Sequence, residues 1–292
     1  MLHTLQNDTL KITVADRGAE LKSITAVADG TEFLFDSDPT WWKFSSPVLF
    51  PIVGKLVNDT YRVDGKEFKL PPHGFGRTTD FEFVGGTDNS LTFKLGWSEE
   101  TLKVYPYKFT LEIMFTLSGN EIRVAWKVTN VDDKDMYFSI GGHPAIHVPF
   151  VAGENFDDYY LKFNAVEKSA RIKFLPNGSL AHEKIPTLDG TELALSYPLF
   201  KGDALVFEDL KSDEVSVCSR KNSKSVTVRA KNFPYWGFWS PSQGGAPFVC
   251  LEPWHGHADY EDFTGELKDK EGINKLAAGK TFAAEMAFVI NN

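Results

Sequence analysis

Alternation of apolar and polar residues with period two dominates this chain and constrains its fold more than any other feature. Leu10, Ile12 and Val14 alternate with Lys11, Thr13 and Ala15. Such a pattern buries one face of an extended strand and wets the other. Tyr61 and Val63 lead into Asp64-Gly65, with Phe68 and Leu70 beyond it. Asp-Gly between alternating runs is a strong hairpin signal. Phe81 to Val84, Gly85-Gly86 and Leu91 to Leu95 read as a second antiparallel pair. Phe109 to Leu117, Gly119-Asn120 and Ile122 to Val128 read as a third. Further runs lie at Met136 to Ile140, Ala204 to Glu208, Val215 to Ser219, Ser225 to Ala230, Phe248 to Leu251 and Phe282 to Ile290.

Helical periodicity is scarce. Phe263, Leu267, Ile273 and Leu276 allow one or two short helices within 261–278, with Gly265 and Gly272 opposing them. Many strands with frequent turn signals predict an all-β fold, a large antiparallel sandwich or barrel rather than βαβ units. No repeat or linker divides the 292 residues, so the expectation is one domain spanning 1–292.

A hydrophobic fraction of 42% suffices for a sizeable core, and most of the 24 Phe belong there. The net charge of −9, with no basic cluster, argues against nucleic-acid binding. Cys218 and Cys250 lack metal-site spacing and read as buried thiols of a reducing compartment. No signal peptide is evident at Met1–Asp8 and no segment has the length and apolarity of a membrane span. The expected location is the cytoplasm. Oligomeric state is not legible.

Three segments carry the chemistry: Pro72-His73-Gly74-Phe75-Gly76-Arg77, Gly141-Gly142-His143-Pro144-Ala145 and Leu251-Glu252-Pro253-Trp254. Each sets a titratable side chain beside Gly or Pro, where turns and strand ends present groups into clefts. His73 in a Pro/Gly turn is a candidate, and in an extended segment Arg77 shares its side. His143 follows a strand, and Glu252 ends an apolar one, where desolvation raises a carboxylate toward the range of a general base. His147 makes no helical metal pair, because Pro144 intervenes. His255-Gly256-His257 invites comparison with cupin-type metal sites, whose paired rings share one strand face. Crowding by Pro253-Trp254 and the polar Asp259-Tyr260-Glu261 run argue against it. Aromatic runs at Trp41-Trp42 and Tyr235–Trp239 are mostly core, yet Trp236 or Trp239, or one of Trp41-Trp42, would suit the apolar face of a sugar ring.

Taken in order, His-Gly-Phe-x-Arg, Gly-Gly-His-Pro and Glu-Pro-Trp resemble the aldose 1-epimerases (mutarotases), most like the LacX-type branch. The resemblance spans nearly the whole chain and implies a β-supersandwich. It implies interconversion of the α and β anomers of a free sugar, with Glu252 as base, His143 as acid and His73 holding or polarising sugar oxygens. Asp203 matches a sugar-binding aspartate, and Trp239 and Arg77 join the expected site. No metal or cofactor is implied, because the sugar supplies its own nucleophile and carbonyl. Many relatives carry Gly-Arg-Ile where this chain has Gly54-Lys55-Leu56. Lysine lacks the planar fork of arginine. Lys55 contacting the sugar differently, Arg77 covering the role, and a drifted or phosphorylated hexose substrate all stay open, as does a non-catalytic sugar-binding protein.

Overall fold

A computed structural model describes residues 1–292. Thirteen strands follow one another in a single hydrogen-bonded sheet that runs from Val48–Leu49 to Glu82–Thr87, and two more pair alongside it. Every ladder named here is antiparallel, as the closely spaced turns predict. In the hairpin of Phe109–Ser118 and Glu121–Asn130, Leu111 faces Val128, Ile113 faces Trp126 and Phe115 faces Val124, all buried. A smaller sheet, Leu2–Gln6, Leu10–Ala15 and Glu20–Ala26, adds Ile12, Val14 and Ile24 to the same core of 62 buried residues. His3 of that sheet stacks on Phe83 at 4.0 Å, tying it to the edge of the large one. No helix is long and apolar enough to cross a membrane.

Turn chemistry holds where it was specific. Asp64 and Gly65 both take positive φ between Thr60–Val63 and Lys66–Lys69, as a two-residue type I′ turn requires. The second hairpin differs: its strands run through Gly85-Gly86 and turn at Asp88-Asn89, with a register shift between Phe83 and Gly85. A side chain at Gly86 would overlap the Ser90 carbonyl, so this glycine serves close backbone approach rather than a turn.

Three expectations are corrected. Met136 to Ile140 is two strands: Met136–Phe138 pairs with Asn274–Leu276, and Ile140–Gly142 crosses into the large sheet. The 261–278 segment holds no α-helix, only a 3₁₀ turn, Leu267–Asp269, and the short strand Asn274–Leu276, with Gly272 in the left-handed region. The one α-helix, Glu99–Val104, lies elsewhere, started by a reciprocal cap between Ser98 and Thr101. Cys250 is buried and Cys218 is half-buried, and neither is in a disulfide.

Candidate active site

The strand Phe248–His255 carries the floor of the site. Val249 and Leu251 face the main core, while Cys250, Glu252 and Trp254 face the other way. On one flank Tyr235–Trp239 sets Gly237 opposite Glu252. On the other, Ile140–Gly142 sets Gly141 opposite Trp254, and Ala145–His147 sets Ala145 opposite Cys250. Between these two short strands, His143-Pro144 leaves the ladder beside Glu252. Pro144 has no N–H to give, but its carbonyl accepts from Leu251 at 3.1 Å. The interruption brings His143 Nε2 to 3.1 Å from Glu252 Oε2. The strand continues three residues past Glu252, which is therefore interior rather than terminal.

Gly141 and Gly237 flank the Trp254 indole, and a Cβ on either would overlap it. Gly237→Ala is thus expected to destabilise the protein by about 1–3 kcal/mol through overpacking. Denaturation midpoints check this; a midpoint equal to wild type would show that the indole has room to move.

His73 is not on an extended segment. It has φ +67, as does Gly74, and the chain then enters a 3₁₀ turn at Gly76–Thr78. A non-glycine residue in this region needs support, and Gly54 supplies it: the His73 N–H donates to the Gly54 carbonyl at 2.8 Å. The Gly54 N–H donates to His73 Nδ1 at 3.1 Å. Nδ1 therefore accepts, and the ring hydrogen of neutral His73 resides on Nε2. Phe75 turns into the core against Phe50 and Phe109. Arg77 reaches the site from the 3₁₀ turn, donating to the Pro72 carbonyl at 2.8 Å and lying 4.8 Å over the Phe44 ring.

Lys55, His73, Arg77, His143, Asp203, Trp239 and Glu252 all line one cavity of about 360 Å³. That lies within the roughly 300–1,000 Å³ range of small-molecule sites. Asp203, at φ +81, stands at the exposed rim and accepts from the Ala204 N–H at 2.7 Å. The Trp42 ring lies 4.6 Å from His143, tilted by 33°, and Trp239 meets the same ring edge-on at 5.8 Å. Trp236 is buried in the core instead, and Trp41 lies outside the cavity lining. The sequence did not reveal Phe174 and Gly178, which close one wall from a long hairpin; the Lys55 stem lies where a side chain at Gly178 would sit. His255 and His257 do not converge. The strand ends at His255, which packs on Phe233 and Phe282, while His257 meets Tyr235 and Tyr260.

Burial, reinforced by the Arg77 charge, pulls His73 down to about 3. Burial pulls His143 well below the usual imidazole value, with His73 and Arg77 adding to it. Burial raises Glu252 well above the usual carboxylate value, and the Asp203 charge adds to this. A carboxyl and an imidazole with opposite shifts in one cleft are suited to hold a single proton between them.

A family model described as aldose 1-epimerase matches residues 1–273. The chromosomal protein LacX of Lactococcus lactis subsp. lactis is 37% identical over 281 residues, 93% of each chain. A galactose mutarotase related enzyme from Lactobacillus acidophilus superposes with a TM-score of 0.95 at 38% identity, over 100% of this chain and 98% of that one. A galactose mutarotase-like protein from Lactobacillus casei gives 0.94 at 31%, over the whole of both chains. A match of this extent, on a fold whose motif residues meet in one cleft, shows that the chain belongs to the aldose 1-epimerase family.

Proposed function

We propose that this protein is a mutarotase that interconverts the α and β anomers of a free aldohexose. The observation that carries the reading is the buried His143–Glu252 pair, 3.1 Å apart on the floor of a sugar-sized cavity. In the form that reacts, the single proton of the pair sits on His143, and the ionised Glu252 takes the proton of the anomeric hydroxyl. O1 then forms the carbonyl as the C1–O5 bond breaks, and His143 delivers its proton to O5. Rotation about C1–C2 turns the other face of the aldehyde toward the C5 hydroxyl. Ring closure reverses both transfers, so no proton is gained or lost. Each positioned acid or base contributes about 10²–10⁴-fold.

His73, donating from Nε2, holds a sugar oxygen, while Trp42 and Trp239 offer aromatic faces to the ring C–H side. Lys55, Arg77 and Asp203 line the cavity beside the His143–Glu252 pair, which with its one proton is neutral overall. The Lys55 ammonium makes no ion pair, which favours a second reading, a hexose 6-phosphate. Mere binding of a sugar would not require the acid–base pair.

Polarimetry on freshly dissolved α-glucose, α-galactose and α-glucose 6-phosphate tests this. The expected result is a faster approach to rotational equilibrium with at least one free sugar. Acceleration with the phosphate alone would move the reading to the phosphorylated class, and no acceleration with any would overturn it.

A further inference from the structure

The chemistry above makes no use of a second buried ion pair. Asp259 Oδ1 lies 2.7 Å from Lys270 Nζ, with both side chains 2% exposed. Burying such a pair is costly, and apolar residues of similar size often stabilise as well, so stability alone explains it poorly. What it holds is the loop that lines the cavity. Asp259 Oδ2 accepts from the Val57 N–H at 2.9 Å, and the Asp259 N–H donates to the Lys55 carbonyl at 2.9 Å. One residue thus brackets 55–57 from a single side. At the other end of the loop, Gly54 makes both of its bonds to His73. Gly54 itself has φ +73, and a Cβ there would meet Ala258 at 2.6 Å, so the loop is pressed onto the residue preceding Asp259.

We propose that Asp259 and Lys270 are positioning residues that fix the Gly54–Val57 loop, and through it both the tautomer of His73 and the place of Lys55 in the cavity. The Gly54 N–H must point at His73 Nδ1 for the ring to present Nε2–H to a ligand. Its direction is set by a peptide chain clamped one and three residues later by Asp259. Lys270 gives that buried carboxylate its counter-charge 2.7 Å away and keeps it aimed. The kinetic consequence rests on the mutarotase reading; the tautomer consequence does not.

The test combines ¹⁵N-histidine NMR with sugar kinetics on four proteins: wild type, Lys270→Met, Asp259→Asn/Lys270→Met and Asp259→Ala/Lys270→Met. Wild type is expected to show His73 with Nδ1 unprotonated. Lys270→Met leaves a buried carboxylate unpaired, and His73 is expected to populate both tautomers. KM is expected to rise about tenfold, the equivalent of one lost hydrogen bond, with kcat changed less. The Asn/Met variant keeps an oxygen for the Val57 N–H without either charge, and is expected to restore the single tautomer and the KM. The Ala/Met variant, which lacks that oxygen, is expected to restore neither. A purely structural pair would lower the melting temperature while leaving tautomer and KM as in wild type, and that result would overturn the proposal. So would a wild-type His73 protonated on Nδ1. If Lys270→Met does not fold, the two neutral double variants decide, and equal tautomers in both would count against the proposal. A wild type that turns over no sugar would sink the mutarotase reading and leave the tautomer comparison to judge this one.

Discussion

Glu252→Gln is expected to lower kcat for anomer exchange by about 10²–10⁴-fold while leaving sugar binding nearly intact. The amide has the same shape but cannot take the anomeric proton. Its side chain occupies the same place, where Glu252 Oε2 now lies 3.1 Å from His143 Nε2. Loss of fold is not the expected cause. Glu252 is 1% exposed, and burial disfavours its charged form, so a neutral amide removes a penalty. The melting temperature should hold or rise. The pH profile should change as well. In wild type the active pair carries one proton. A second arrives only well below pH 6.5, because His143 is depressed, and the last leaves only well above 4.5, because Glu252 is raised. The expected profile is bell-shaped, with its acid limb moved below the usual imidazole range and its alkaline limb above the usual carboxylate range, and Glu252→Gln should lose the alkaline limb. Steady-state kinetics with a sugar-binding titration checks both; a variant within tenfold of wild-type kcat would remove Glu252 from the base role.

The second large effect is acid lability that begins while carboxylates are still ionised. His73 is depressed to about 3, His255 and His257 to about 4, and His143 well below 6.5, in each case first by burial. The unfolded chain takes up these protons near 6.5 and the native state does not, so unfolding is favoured as pH falls. The stability is fully present above 6.5 and is lost progressively toward the native values. At pH 5 His73, His255 and His257 each cost about 2 kcal/mol, at 1.36 kcal/mol per unit. That is a large share of the roughly 5–15 kcal/mol that holds a typical domain. Glu252 acts in the opposite sense: its penalty is present above its native value and is relieved as pH falls through it, softening the decline. Thermal melts from pH 7 to pH 5 should show a steep fall in melting temperature. His255, packed on Phe233 and Phe282, lies outside the sugar cavity, so His255→Leu should flatten part of this fall without changing kcat. A melting temperature level between pH 7 and 5 would contradict the argument.

Strand content was legible because alternation is strict where one face is buried, as in Phe109–Ser118 and Glu121–Asn130. It failed in the hairpin of Tyr159–Phe174 and Leu180–Ala194. Register shifts there break the period between Lys162 and Glu167 and again further along, and much of both strands is exposed. Phe174, at the end of that hairpin, went unseen as a cavity residue for this reason. The seven candidate residues could be named because six of them, all but Trp239, stand next to Gly or Pro, where side chains leave a ladder. The route by which Arg77 arrives could not be read, since it depends on two successive left-handed residues, one of them His73. The buried Asp259–Lys270 pair was equally invisible: in the sequence Asp259 resembles part of a solvated loop, and only the fold brings Lys270 to it.

The most direct test of the central claim is anomer exchange at equilibrium, followed by magnetisation transfer on [1-¹³C]glucose and [1-¹³C]galactose carrying ¹⁸O at C1. Wild type is predicted to speed α–β exchange of at least one sugar with the label kept at C1, because ring opening never breaks the C1–O1 bond. Exchange no faster than in buffer for both sugars, or exchange that sheds the label at the same rate, would contradict it.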